Sequence, residues 1–297
     1  MSFCRLTAAA ILLLGPSAAW SQSSPTLDKV KATGVVAIGT REASIPFNYL
    51  DDKNQQAGLS WEIALKVVDA LRSRLNMPDL RVNPVNVTPQ TRIPLVANGT
   101  LDLECSSTTN NTERQRQVSF SNTFFVVGSR LLVRKDSGIR DWPDVAGKNV
   151  VVSAGTTAER ILRKLSSDNN WQVNVVLAKD ISENFLMVET GRAVAAMQDD
   201  VILFSNIARA RNPALWQVVG APQQREAYAC MSRKDDAVFK AMVDGIIADL
   251  MRSGGYEALY TKYFLKPIAV KGGITVNLPL SDDMTALIRD PNDRPYQ

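Results

Sequence analysis

The 297-residue chain is 45% hydrophobic and 22% charged, an ordinary globular composition with length for one large or two medium cores. Its net charge of +4 is small for that length, and Lys and Arg are scattered among Asp and Glu, so no nucleic-acid partner is expected. It contains no histidine, which excludes Ser-His-Asp and Cys-His catalysis and every histidine metal site; neither a metal nor a cofactor is expected.

Residues 1–21 read as a secretory signal. "MSFCR" supplies a positive charge, "LTAAAILLLG" a short apolar core and "PSAAWSQSS" small residues for cleavage after Ala19 or Ser21. The apolar run is too short for a stable membrane span. Cleavage would remove Cys4 and leave Cys105 and Cys230. Two cysteines in an exported chain point to one disulfide closing a long loop; two buried free thiols are the alternative.

"GVVAIGT" (34–40) then reads as a buried strand. In "LSWEIALKVVDALRSRLN", Trp61, Leu65, Val68, Leu71 and Leu75 recur at steps of three and four and make one apolar helix face. "LRVNPVNV" is a second strand. "TPQTRIPLVANG" opens a helix, with Thr88 as N-cap and Pro89 at the first helical position, where its missing N–H costs least. "LDLECSS" is a third strand. Strand, helix, strand, helix, strand describes a parallel α/β sheet.

The same grammar restarts at "NVVVSAGTTAERILRKL" and runs through "WQVNVVLAKD", "ISENFLMVETGR", "AVAAMQDD" and "VILFSNIARARN". Between the halves lies the extended run "VSFSNTFFVVGSRLLVRKD", and after the second half comes another, "EAYACMSRKDD". Helices over 236–265 and a Pro-containing tail finish the chain. The simplest architecture is two α/β lobes joined by two extended strands. Ligands of open α/β sheets bind beyond the carboxyl ends of the strands, so two facing lobes would surround one cleft.

Those strand ends carry the polar residues. "ECSSTTNNTERQ" follows the third strand, where Thr112 and Gln115 fit a capping box; "SAGTTAERI" follows the first strand of the second half, where Thr156 and Glu159 fit another. Gly155 would let the backbone approach a ligand. Helix N-termini favour anions, and Arg114 in a first turn runs against the helix dipole, a placement that a bound carboxylate would explain. Asp199 and Asp200 end the strand "AVAAMQ". One of them could accept a ligand ammonium, and one could equally cap the next helix. Arg41 and Arg92 add two guanidiniums near the same cleft mouth.

"GTREASIPFNYLD", "TRIPLVANGTLDLECSSTTNNTERQRQVSFSNTFFVVGSRLLV", "VVSAGTTAE", "GRAVAAMQDD", "EAYACMSRKDD" and "LSDDMTALIRDPND" together resemble the periplasmic glutamate/aspartate-binding proteins of bacterial ABC transporters, in order over nearly the whole mature chain. The resemblance implies a type II periplasmic binding fold with two hinge strands and a ligand cleft. Lobe one would comprise residues 22–126 and 226–297, lobe two residues 127–225. It implies a monomer that binds L-glutamate or L-aspartate and delivers it to an ABC permease in the inner membrane. By the same resemblance Arg114 holds the α-carboxylate with Ser107, Thr109 and Thr157. Asp199 holds the α-ammonium, and Arg41 and Arg92 hold the side-chain carboxylate. The chain departs from the pattern at Pro89, where close relatives have serine, and at Ile181, where they have histidine. Both departures bear on side-chain selectivity.

The fold that the resemblance implies leaves three other classes open. One is a binding protein for another polar amino acid. The second is a periplasmic dehydratase resembling cyclohexadienyl dehydratase, with Glu104 or Glu159 as general acid. The third is a sensory input domain, which would need a soluble partner to relay its signal.

Overall fold

The computed structural model describes residues 23–296. The expected signal over 1–21, with Cys4, Ala19 and Ser21, lies outside them. Helix α1 (Pro25–Thr33) leads into β1 (Val35–Thr40), and the short strands β2 (Ala43–Ser44), β3 (Asn48–Leu50) and β4 (Gln56–Ala57) form a small sheet of their own. Helix α2 (Leu59–Leu75), β5 (Arg81–Asn86), α3 (Arg92–Ala97), β6 (Leu103–Glu104) and β7 (Thr109–Asn110) complete the first half. Strands β5 and β6 flank β1 in parallel, as the repeated strand–helix pattern requires.

The second half holds β9 (Asn149–Ser153), α4 (Thr157–Asp168), β10 (Asn174–Ala178), α5 (Ile181–Glu189), β11 (Ala195–Asp199) and α6 (Asp200–Arg209). Before and after it run the two long strands β8 (Val118–Arg134) and β12 (Trp216–Arg233). These pair antiparallel along their length, from Arg233↔Val118 to Trp216↔Arg134. They knit both halves into one sheet of order β10-β9-β11-β8-β12-β6-β1-β5, with β7 also on β12. Helices α7 (Ala237–Arg252), α8 (Gly255–Tyr260) and α9 (Asp282–Arg289) pack back on lobe one.

Both faces of the sheet are covered, and the strands show it residue by residue. In lobe two Leu131, Val133, Val150, Val152, Ala195 and Met197 point into one core, and Leu132, Val151 and Ala196 into the opposite one. In lobe one Val36 and Ile38 join a large core with Ile63, Val67, Phe125 and Phe264, while Ala37 faces a smaller one with Val96 and Met231. That alternation is the period-two geometry of a pleated strand. Cys105 and Cys230 are disulfide-bonded within the large core, across a sequence separation of 125.

The β8–β12 ribbon loses its register between Val219 and Arg225. There Gly128 faces Pro222 so closely that a Cβ would sit 2.6 Å from the proline Cβ. Gly220 has φ +78°, and the Trp142 indole donates to the Ala221 carbonyl at 2.8 Å. The irregular stretch lies where the ribbon passes from one lobe to the other, the place for a bend.

Three local expectations are corrected. The buried face of α2 is centred on Ile63, Val67 and Leu71, beside Val68; of the expected face Trp61 and Leu75 pack against the same core from its edge, partly buried, and Leu65 is partly buried on the flank. Helix α3 starts at Arg92, not Pro89. Thr88 and Thr91 instead close a turn on each other, side chain to backbone in both directions, and Pro89 lies inside that turn. The capping box at Thr112 and Gln115 does not form. Asn111 Oδ1 accepts from the Arg114 N–H, Gln115 bonds Asn110, and only a three-residue 3-10 turn (Arg114–Arg116) follows. A turn so short has too little dipole to seat an anion by itself.

Candidate functional site

One cavity between the lobes is lined by Arg41, Pro89, Arg92, Ser107, Thr109, Thr156, Thr157, Ala158, Ile181, Gln198 and Asp199. Its lobe-one wall comes from the carboxyl ends of β1 and β6, because parallel strands deliver successive loops to one edge. Arg41 follows β1 and is 1% exposed. Its backbone N–H donates to Asn48 Oδ1, and its guanidinium pairs across the cleft with Asp180 of lobe two. Arg92 opens α3 and is 2% exposed. It donates to the Ser107 carbonyl at 2.9 Å and to the Thr108 hydroxyl, which donates in turn to Glu104 at 2.9 Å. Burial lowers the Arg92 pKa to about 9, with the Glu104 carboxylate opposing that shift. The Nε atoms of Arg41 and Arg92 are buried without a partner among the described residues.

Arg114 stands beside this cavity, in an adjoining depression that shares Thr156 and Thr157 with it. It donates to the Thr109 carbonyl at 3.0 Å and across the lobes to the Gly155 carbonyl at 3.3 Å. Burial lowers its pKa, while Glu226 and Asp199 act to raise it. The Ser107 hydroxyl is 2.6 Å from that of Ser44, and the Thr109 hydroxyl is 3.4 Å from that of Thr157.

On lobe two the Thr156 side chain caps α4 by accepting from the Glu159 N–H, and Glu159 reaches back to the Gly155 N–H rather than to that of Thr156. Gly155 has φ +78°, and a Cβ there would lie 2.8 Å from Cγ of Gln90. Its close approach is therefore to lobe one's own chain. Asp199 sits at the start of α6 but makes no capping bond; Asp200 bonds the Val201 N–H at 2.8 Å instead. The Asp199 carboxylate accepts from the Tyr228 hydroxyl and from Ser129. Ile181, 2% exposed, closes the wall next to Asp180, which caps α5.

Sequence reading missed Glu226, Tyr228 and Asp180. Glu226 is 1% exposed and accepts from the Thr157 hydroxyl at 3.0 Å. Burial first, then the Asp199 charge, raise its pKa to about 8. A signal was present: Glu226, Tyr228 and Cys230 alternate along β12, so the acid shares a strand face with two core residues. The acids nominated for an enzyme are committed elsewhere. Glu104 is fully buried on Ser106 and Thr108, and Glu159 serves the helix cap and Arg163.

Residues 36–266 match the model of the bacterial extracellular solute-binding proteins, family 3. The chain is 47% identical, over 97% of its length and 95% of the relative's, to the L-glutamate/L-aspartate-binding protein of Pseudomonas aeruginosa. It is 44% identical to the glutamate/aspartate import solute-binding protein of Escherichia coli, with 98% of each chain covered. Among solved structures, a mutant of ArgBP from T. maritima superposes with a TM-score of 0.72 at 26% identity, over 81% of this chain and 100% of that one. The solute receptor for L-cysteine of Neisseria gonorrhoeae gives 0.71 at 26% identity, over 82% and 94%.

Proposed function

The chain belongs to family 3 of the bacterial extracellular solute-binding proteins, and from that footing we propose that it captures an acidic amino acid and delivers it to an ABC permease. The names of its relatives, glutamate/aspartate-binding and import proteins, support this reading and favour a binding protein over an enzyme. They also support a periplasmic location. Among the described residues no helix is long and apolar enough to cross a membrane.

The observation that carries the choice of ligand is the pair of buried guanidiniums, Arg41 and Arg92, with unpartnered Nε atoms in one cavity with Asp199. A buried charged donor without an acceptor is costly, and a ligand carboxylate relieves that cost. In this reading Arg41 and Arg92 take the side-chain carboxylate, Arg114 with Ser107, Thr109 and Thr157 takes the α-carboxylate, and Asp199 takes the ammonium. Pro89 and Ile181 shape the side-chain end. The ligand touches both lobes and so favours the closed form.

Titration calorimetry on refolded, ligand-free protein tests the reading. Glutamate and aspartate should bind best, with glutamine and asparagine at least about tenfold weaker, because an amide adds no charge in the cavity and leaves Arg41 to Asp180 and Arg92 to the Glu104 carboxylate behind Thr108. Glutamine binding as tightly as glutamate would make Arg41 and Arg92 structural residues. Small-angle scattering should show compaction on binding. Stability should rise by about 2.7 kcal/mol at a hundredfold excess of ligand over Kd.

A further inference from the structure

Glu226 has no part in the scheme above, yet it is buried directly behind Thr157, which lines the cavity. It lies on β12, opposite Val127 of β8, at the bend between the lobes. Its Oε2 accepts from the Thr157 hydroxyl, and its Oε1 is buried with no partner among the described residues. Its carboxyl also comes within hydrogen-bond reach of the Asp199 carboxyl. Two carboxyl groups can bond each other only if one of them carries a proton. The surroundings decide which one. Asp199 already accepts from two hydroxyls, Tyr228 and Ser129. Glu226 accepts from one.

The charged groups that face this pair come from every element around it. Asp199 ends β11 and Asp200 begins α6; Tyr228 shares β12. Arg114 of the 3-10 turn is the near cation, with Arg160 of α4 beyond it. Two of the Arg114 donors are engaged by the Thr109 and Gly155 carbonyls. Arg130 of β8 faces Asp200. The three carboxyls, Asp199, Asp200 and Glu226, thus outnumber the two guanidiniums that face them, Arg114 and Arg130.

We propose that Asp199 and Glu226 form a two-acid ammonium seat that holds one proton in the ligand-free protein and releases it to solvent when an amino-acid ammonium enters. The inference rests on the amino-acid reading above. The exchange balances simply. The O–H bond of Glu226 breaks, its proton passes to the buffer, and an N–H of the ligand takes up the vacated hydrogen bond. Nothing else is made or broken. The ligand cation then neutralises the second carboxylate, which burial alone would not tolerate ionised. Glu226 is in this sense a specificity residue for the charged amine.

Linkage fixes the sign. Burial raises the pKa of free Glu226 to about 8, and the ammonium lowers it in the complex. Below pH 8 the free protein holds a proton that the complex lacks. Affinity should therefore fall about tenfold for each pH unit below that point, as far as the lowered pKa of the complex, and be level just above it.

The test uses the full mature chain, unfolded, dialysed free of ligand and refolded with its disulfide intact. It is titrated near pH 7 with L-glutamate, or with whichever common amino acid gives heat, in phosphate and in Tris. The observed enthalpies should differ by close to one buffer ionisation enthalpy per ligand bound. In Glu226→Gln that difference should vanish, and the affinity should lose its pH slope between pH 6 and 7.5. Equal enthalpies in both buffers for the wild type overturn the proposal, as does proton release that persists in Glu226→Gln. Should that variant not fold, the wild-type buffer and pH series decides alone. No heat and no thermal shift with any amino acid would instead defeat the amino-acid reading on which the seat depends.

Discussion

On the lobe-one wall of the cleft the buried charges are guanidiniums, and neutral groups of the same lobe hold them from behind. Arg92 rests on the Ser107 carbonyl and the Thr108 hydroxyl, Arg114 on the Thr109 carbonyl. Where lobe two meets the hinge strand the charges are carboxylates, held by hydroxyls: Asp199 by Tyr228 and Ser129, Glu226 by Thr157. Apart from Arg41, which pairs with Asp180, the charges that face the cleft are held chiefly by neutral groups, so they keep a demand for a partner of opposite sign. A ligand bearing carboxylates at one end and an ammonium at the other satisfies both walls together. The walls also differ in their support. Lobe one carries the disulfide and a run of stacked rings, with Tyr260 and Phe264 4.3 Å apart and Phe125 stacked on both; the cores of lobe two are mostly aliphatic, with Trp142 in one and the Phe185–Trp216 pair in the other.

Removing a charge from the donor wall is the most direct way to break this contrast. Arg114→Ala should weaken every amino-acid ligand alike, because the α-carboxylate is common to all. Losing one partner of a desolvated charge pair costs about 2–5 kcal/mol, on the order of 30-fold or more in Kd. The same change leaves Glu226 and Asp199 without their nearest cation. Equal Kd values for variant and wild type would take Arg114 out of the site.

The support of lobe one is tested next. Replacing Cys105 and Cys230 together by Ser should lower stability by about 2–5 kcal/mol, read as a lower urea midpoint. The chain-entropy argument for so large a figure is the separation of 125 residues between the cysteines. An unchanged midpoint would mean that the aromatic core holds lobe one without the bridge.

How much of this contrast could be read in the sequence depends on how local each cause is. The strands were legible because alternate residues feed opposite cores, as Val150 and Val151 do. The disulfide was legible from Cys105 and Cys230 being the cysteines left after the signal. The cavity gathers Arg41, Arg92, Ser107, Thr109, Thr157 and Asp199, which the resemblance had singled out together, with Arg114 beside them. The start of α3 was misplaced because two threonines close a turn ahead of it. The box at Thr112 failed because Asn111 caps one residue earlier: its side chain accepts from the Arg114 N–H and its carbonyl takes the Gln115 N–H that Thr112 was expected to bond. Glu226 was missed for a different reason. Its alternation with Tyr228 and Cys230 along β12 signalled burial, but its partners, Thr157, 69 residues away, and Asp199, are announced by no local pattern.

The two walls touch directly where Arg41 meets Asp180, and this contact offers a finer test. Asp180→Asn keeps an N-cap for α5 but removes the charge that engages Arg41. Asp180 is 23% exposed, so the pair contributes only about 0.5–1 kcal/mol. If Asp180 competes with a ligand's side-chain carboxylate for Arg41, the preference for glutamate over glutamine should rise about two- to fivefold on that scale. A preference that falls would mean that Arg41 works chiefly as a tie between the lobes.

The smallest effect is expected at Ile181, where the acid wall presents an apolar face to the cavity. Ile181 is buried and packs against the lobe-one core, at the first position of α5 and next to the carboxylate that engages Arg41. Its side chain offers no hydrogen bond to a ligand, so in the proposed binding mode a side-chain carboxylate would be gripped from the arginine side alone. Ile181→His restores a donor there at nearly constant bulk. One added hydrogen bond is worth about 0.5–1.5 kcal/mol net, offset in part by the lost apolar packing. The expected result is a change of about two- to fivefold in the glutamate-to-aspartate affinity ratio, because the donor's reach matches one side-chain length better than the other. Binding of an amino acid without a side-chain carboxylate, such as alanine, should barely move. Competition calorimetry on the three ligands reads both quantities at once. A uniform loss for all three would show that Ile181 matters for how tightly the lobes pack and not for which acid the cleft prefers.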